Sequence, residues 1–295
     1  MIDFIKQIIN GLQIGSIYAL IAIGYTMVYG IVKLINFAHG DIIMVGSYIS
    51  LVSIPQFISL GLPVWLCIVV SVAFCIVLGV LIELIAYRPL RSAPRLCSLI
   101  TAIGMSLFLQ NLFMLIFTPN FRPFPQVFDV EPLKISEVQV PFNTMLTIVV
   151  SVALMIALNL FVKLTKTGKA MRAVSEDEGA SRLMGINVNR TISVTFAIGS
   201  ALAAVGSVFY SNAYPLVEPT LGSMLGLKAF VAAVLGGIGI IPGAMLGGIV
   251  MGLAESLTKA YISSQLADAV VFGILIVVLL VKPSGILGKN IREKV

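Results

Sequence analysis

The sequence predicts an all-α, polytopic membrane protein of about eight or nine transmembrane helices, and three observations predict it. Hydrophobic residues make up 59% of the 295 positions and charged ones only 11%, where a soluble domain carries about 25% charged residues. Apolar runs recur from end to end, each near the ~20 residues a helix needs to cross ~30 Å of hydrocarbon. They are continuous rather than alternating, which argues against a membrane β-barrel. Finally, 13 of the 19 basic residues fall in three short segments, Arg88 to Arg95, Lys163 to Arg190 and Lys282 to Lys294. Residues 1–295 read as a single transmembrane domain.

The first span covers Ile8 to Val32. A polar interruption follows, Lys33 to Asp41 (KLINFAHGD), expected to break the helix near 33–41. Apolar sequence resumes from Ile42 to Leu60, and a third span, Leu62 to Tyr87, ends in the basic turn RPLRSAPR. The fourth span is Leu96 to Phe117. A polar, proline-containing loop (Pro119 to Phe142) leads to the fifth, Asn143 to Val162. The basic segment 163–190 precedes the sixth, Thr191 to Ala213. Beyond it the chain becomes glycine-rich, with nine glycines between Gly222 and Leu253. Gly239-Ile-Ile-Pro242 is expected to divide this region into helices near 224–239 and 242–260, or to turn a re-entrant hairpin. Gly236, Gly237, Gly243, Gly247, Gly248 and Gly252 suit close helix packing, because small residues four apart let backbones approach where lipid supplies no hydrophobic drive. The last span is Ala267 to Val281.

Lys and Arg are retained on the cytoplasmic side. Placing 88–95 inside puts 163–190 and the C-terminus inside as well, with 119–142 and the N-terminus outside. The net charge of +6 is therefore read as positive-inside bias and attraction to acidic lipid headgroups of the bilayer rather than nucleic-acid binding. The N-terminus does not read as a cleaved signal, since Asp3 dilutes the basic start and no small-x-small site follows. Cys67, Cys75 and Cys97 read as small buried hydrophobes.

Within Lys163 to Arg190, Ser175 and Glu178 form S-x-x-E, a capping box, and Glu176 and Asp177 add charge to the first turn. Gly185 suits a left-handed stop. The expected helix has about nine residues and spans about 13 Å, carrying Gly179, Ala180, Arg182, Leu183 and Met184. A helix this short is not stable alone in water. It either packs on the helix ends of its own chain or docks in a partner's groove.

Asn36, His39 and Asp41 form the densest polar cluster near the membrane. They are either an interfacial loop meeting water or a broken helix whose freed groups line a translocation path. No set of further ligands makes His39 a metal site. Glu83 is expected to reach Arg88 or the interface, and Glu255 and Lys259 to pair at i,i+4. Gln110, Asn111 and Asn159 are expected to bond neighbouring helices. Walker A, HExxH and GxSxG motifs are absent from the sequence, so no catalytic site is read, and uphill transport would draw on an ion gradient or a separate ATPase.

INFAHGD (Ile35 to Asp41), AMRAVSEDEGASRLMGINVNR (Ala170 to Arg190) and GLKAFVAAVLGGIGIIPGAMLGG (Gly226 to Gly248) resemble the membrane permeases of bacterial branched-chain amino-acid ABC importers, most closely the shorter of their two homologous permease subunits. The resemblance spans nearly the whole chain. It implies a location in the bacterial inner membrane, where the outside N-terminus is periplasmic, a second permease subunit, two cytoplasmic ATPase subunits and a periplasmic solute-binding protein. It implies no cofactor on this chain, with ATP and Mg held by the ATPases. It assigns the helix at Glu176 to Met184, with Ser175 and Gly185 at its two ends, to ATPase coupling, although Glu178 precedes Gly185 by seven positions where the EAA loop of other importers has six. By analogy it favours path-lining roles for Asn36, His39 and Asp41. A Leu-, Ile- or Val-sized zwitterion is expected to cross a conduit with few polar contacts. Urea or amide permeases, gradient-driven transporters and passive channels are the competing classes.

Overall fold

The computed structural model describes residues 2–288, apart from 34, 35, 92, 129, 131, 136 and 137. Lys289, Arg292 and Lys294 of the basic tail lie outside the described residues, as do Ile35 and the loop acids Asp129, Glu131 and Glu137. The described chain is an all-α multi-pass membrane protein. Seven helices are long and apolar enough to span a bilayer, and two shorter apolar ones join them.

The long helices are α1 (Ile2–Val32), α2 (His39–Ser59), α3 (Leu66–Ile82), α4 (Arg95–Phe117) and α5 (Phe142–Leu164). Two helices of the basic segment follow, α6 (Lys166–Glu176) and α7 (Glu178–Leu183), then α8 (Val188–Ala213). The glycine-rich region forms α9 (Leu221–Gly236) and α10 (Ile241–Tyr261), and α11 (Ala267–Val281) is last. Four strands of two or three residues make two small antiparallel ribbons, β1 (Arg122–Pro123) with β4 (Leu216–Val217), and β2 (Leu133–Ile135) with β3 (Val138–Val140). The β1–β4 pairing ties the loop after α4 to the segment after α8.

Helix α1 is the central post. From Ile17 to Val28 every residue is buried. At 31 residues it is about 46 Å long, more than the hydrocarbon thickness, and it starts six residues earlier than the hydropathy suggests. It runs antiparallel to α10, with Gly11 against Leu253 and Gly15 against Ile249, and Gly30 lies against Gly239 in the turn before α10. The peripheral helices turn large aliphatic and aromatic side chains outward, among them Val77, Phe108, Leu115, Val149 and Ile156. Such side chains suit contact with lipid, whose tails are equally apolar.

Helix α3 does not stop at Ile82. It continues through a π-turn, Glu83–Tyr87, and a short 3₁₀ turn, Arg88–Leu90. A π-turn inserts one residue into the helical register, and the Glu83 carboxylate bonds Arg91 and Ser193 rather than Arg88. Cys67 and Cys75 are buried, whereas Cys97, on the first turn of α4, is exposed.

Candidate functional site

The break after α1 returns the chain into the helix bundle. Lys33 takes a left-handed conformation (φ 54°), and α2 starts at His39, whose ring lies against Gly24 of α1. Gly24 is eight residues before the end of α1, so α2 begins about 12 Å inside that end. The first turn of α9 meets it there. A Cβ at either Gly40 or Gly222 would overlap the backbone of the other, and only two glycines allow this approach. Two helix N-termini therefore meet at one level inside the bundle.

The three residues of the break have different surroundings. Asn36 is 2% exposed, and its Oδ1 accepts from the Tyr87 hydroxyl at 2.8 Å. His39 is 1% exposed and edge-on to Tyr25, with ring centroids 4.5 Å apart. Neither Asn36 Nδ2 nor His39 Nε2 has a hydrogen-bond partner among the described residues. Asp41 is equally buried, but its Oδ1 accepts from Gln110 Nε2 of α4 at 2.8 Å. That amide nitrogen also lies 3.0 Å from Ser106 Oγ and 2.9 Å from Ser223 Oγ of α9, and Ser223 is exposed. The structure thus encloses Asn36 and His39 and connects Asp41 to a polar patch open to the outside of the chain. Of the amides, Gln110 bridges helices as the sequence suggests, while Asn111 bonds Leu107 O of its own helix.

A second polar centre joins α1, α9, α10 and α11. Glu255 Oε1 accepts from Lys228 Nζ at 3.1 Å and from Lys259 Nζ at 2.6 Å, and Oε2 accepts from the Tyr18 hydroxyl at 2.7 Å. Lys228 also pairs with Asp268 at 2.6 Å. Two cations and two carboxylates balance, as buried charges require. The sequence points to the Glu255–Lys259 pair alone. The signal for Lys228 was present, since an ionisable group in an apolar span needs a named partner. Asp268, in the first turn of the last apolar span, carried the same signal, and Tyr18 gave none.

The basic segment departs from the expected capping box. Thr165 caps α6, accepting from Gly168 N at 3.0 Å, and Ser175 is inside that helix, donating to Arg172 O at 2.7 Å. Asp177, in an extended conformation (φ −151°), separates α6 from α7 and accepts from Ala180 N at 2.9 Å. Asp177 therefore caps α7, and Ser175 does not. The physical reason is the preference of a cap for an extended backbone beside a short acceptor side chain, which Ser175, held helical by α6, does not offer. Helix α7 has six residues rather than nine, leaving Glu176 at the end of α6. Glu178 occupies the first turn of α7, 3.5 Å from Arg182, and Gly179 follows it.

The stop at Gly185 is as expected, with φ 78°. Gly185 N donates to Arg182 O and Ile186 N to Ser181 O, both at 3.0 Å, the paired bonds of a Schellman motif. Just before this stop, Leu183 and Met184 are 90% and 82% exposed. The missed helix, α6, carried a signal in Gly168, Met171 and Val174, which recur every three residues and are its buried face.

The six singled-out glycines serve different contacts. A Cβ at Gly236, Gly243 or Gly247 would meet backbone across the α9–α10 interface, whereas one at Gly248 or Gly252 would meet Ala19 or Gly15 of α1. Adjacent Gly247 and Gly248 thus face two neighbours. Gly237 ends α9 with φ 109° and approaches the backbone at Gly288.

Residues 7–280 match the family described as "Branched-chain amino acid transport system / permease component". The chain belongs to this permease family. The permease is 45% identical to the high-affinity branched-chain amino acid transport system permease protein LivH of Escherichia coli K12, over 99% of this chain and 98% of the relative. It is 46% identical to the corresponding protein BraD of Pseudomonas aeruginosa over the same shares of each chain. A probable LivH of Methanocaldococcus jannaschii is 27% identical over 98% of the permease and 94% of its own length. A fructose import permease, FruF of Bifidobacterium longum, is 25% identical over 80% of the permease.

Proposed function

We propose that the permease is a membrane-spanning subunit of an ATP-driven importer of Leu, Ile, Val or related amino acids in the bacterial inner membrane. Near-full-length similarity to LivH and BraD supports the solute class. On this reading a second permease subunit, two cytoplasmic ATPases holding ATP and Mg, and a periplasmic solute-binding protein complete the assembly. The basic segments face the cytoplasm and the N-terminus faces the periplasm.

The observation that carries the coupling role is the pair Leu183 and Met184. Two large apolar side chains stand almost fully exposed at the end of a capped and stopped helix. Such side chains contribute binding energy when a groove desolvates them. Residues Ser175 to Gly185 are the coupling segment in this account, with Glu178 and Arg182 as a charged flank. When the ATPases close, α7 moves with them, and the helices attached through α6 and α8 switch access between the two sides. Asp41, with Gln110 and Ser223, lines the conduit, and Asn36 and His39 hold the break behind it. A polar patch at that depth is costly against lipid but not against a water-filled path shared with a second permease.

The test is leucine uptake by proteoliposomes containing the complete assembly and its binding protein. Uptake should require internal ATP and survive a protonophore. Uptake that continues without ATP and collapses with the protonophore would sink the reading and favour a gradient-driven carrier.

A further inference from the structure

A cavity of about 240 Å³ opens between α1, α8, α9 and the β1–β4 ribbon. At ~30 Å³ per water it has the volume of roughly eight waters, the scale of a small solute. Both signs of charge stand on its wall, Lys228 on α9 and Glu218 between β4 and α9. An ammonium has three N–H donors. Among the described residues, Glu255 and Asp268 take two from Lys228, which leaves one for the cavity. Glu218 is half-buried, and no described residue bonds its carboxylate. The remaining wall is amphipathic, with Tyr210, Tyr214, Met224 and Leu225.

Other buried charges do not share this arrangement. Glu83 is closed off by Arg91 and Ser193, and Asp41 has no cation beside it among its described partners. A remaining donor on Lys228 and an unpaired carboxylate on Glu218, both on the wall of one amphipathic cavity, match one solute chemistry. A carboxylate needs the Lys228 donor, an ammonium needs the Glu218 acceptor, and an aliphatic side chain suits the Met, Leu and Tyr surfaces.

We infer that this cavity is a binding station for a zwitterionic α-amino acid with an aliphatic side chain, recognised at its carboxylate by Lys228 and at its ammonium by Glu218. The inference rests on the importer reading and adds a specific stop to a conduit for which few polar contacts were expected. Lys228 carries a second duty, neutralising Glu255 and Asp268, so the sharper variant is at Glu218.

The experiment uses the complete assembly in proteoliposomes, with Cys97→Ser removing the exposed thiol and Met224→Cys placing one on the cavity wall. Leucine should slow labelling of that cysteine by a charged methanethiosulfonate at least fivefold. Isoamylamine, which lacks the carboxylate, and 4-methylpentanoate, which lacks the ammonium, should each give less than twofold protection. Glu218→Gln should abolish leucine protection and lower ATP-driven uptake at least tenfold at saturating binding protein, with the ATPases still co-purifying. Labelling indifferent to leucine in an assembly that still imports it overturns the station. So does equal protection by either one-charge analogue. Absence of ATP-driven uptake in the parent assembly instead removes the importer reading, and the station with it.

Discussion

The crossing of α1 with α10 and the tip of α7 are opposite extremes of the molecule. At the crossing, a methyl group on Gly248 or Gly252 would overlap the backbone of Ala19 or Gly15. At the tip, Leu183 and Met184 touch almost nothing. The first surface is finished within the chain and has no slack, so it resists any relative movement short of unfolding. The second is an apolar surface awaiting a partner. Substitutions at the first should therefore act on folding and those at the second on assembly, and four experiments probe that division.

The largest effect is expected for Gly248→Leu. Overpacking commonly costs 1–3 kcal/mol, and more when backbone has to shift, so a loss of about 3 kcal/mol is expected against a total stability on the order of 5–15 kcal/mol. Thermal unfolding in detergent should show it, together with lost expression. Gly104→Leu is the control, because nothing lies near a Cβ there and its change should stay within about 0.5 kcal/mol. Equal stability of the two variants would break the comparison at its rigid end.

The double change Leu183→Glu with Met184→Glu should do the reverse. Thermal stability should stay within about 0.5 kcal/mol of the parent. ATPase co-purification should fall at least about tenfold, since losing about 1.4 kcal/mol of docking energy suffices for that. ATP-driven leucine uptake should fall in parallel. Undiminished co-purification would show that the exposed tip is not a docking surface.

These two regions were unequally legible in the sequence. The spans, the glycine-rich pair and the Gly185 stop follow from local chemistry, namely apolar run length, i,i+4 small residues and a left-handed glycine. The division of labour between Gly247 and Gly248 does not, because spacing shows that a face is small but not what it faces. Asp177 and Ser175 both satisfy the rule for a cap. Only the burial of Gly168, Met171 and Val174 against the bundle extends α6 through Ser175 and leaves Asp177 as the extended residue. Asn36, His39 and Asp41 lie within six residues of sequence yet differ in surroundings, since Gln110 and Ser223 reach only the last of them from distant helices. The Lys228–Glu255–Asp268 centre likewise spans three helices, and sequence periodicity within one helix cannot join them.

The two smallest effects sharpen the comparison at the level of a single hydrogen bond. Asp177→Ala removes the acceptor of the Ala180 N–H. Loss of a helix cap costs about 1 kcal/mol, and in a six-residue helix that energy acts mainly on whether α7 is formed before it docks. ATPase affinity should therefore weaken about fivefold, the factor that 1 kcal/mol represents, while the transition temperature of the membrane bundle stays unchanged. Ser175→Ala removes only a hydroxyl bonded back to Arg172 O within α6. Its effect on both affinity and stability should be under about 0.5 kcal/mol. Affinity measured by titrating purified ATPase onto the two variants separates the alternatives directly. If Ser175→Ala weakened docking as much as Asp177→Ala, the cap of the coupling helix would have to be reassigned to Ser175, and α6 and α7 would form one helix with a different register when the ATPases are bound.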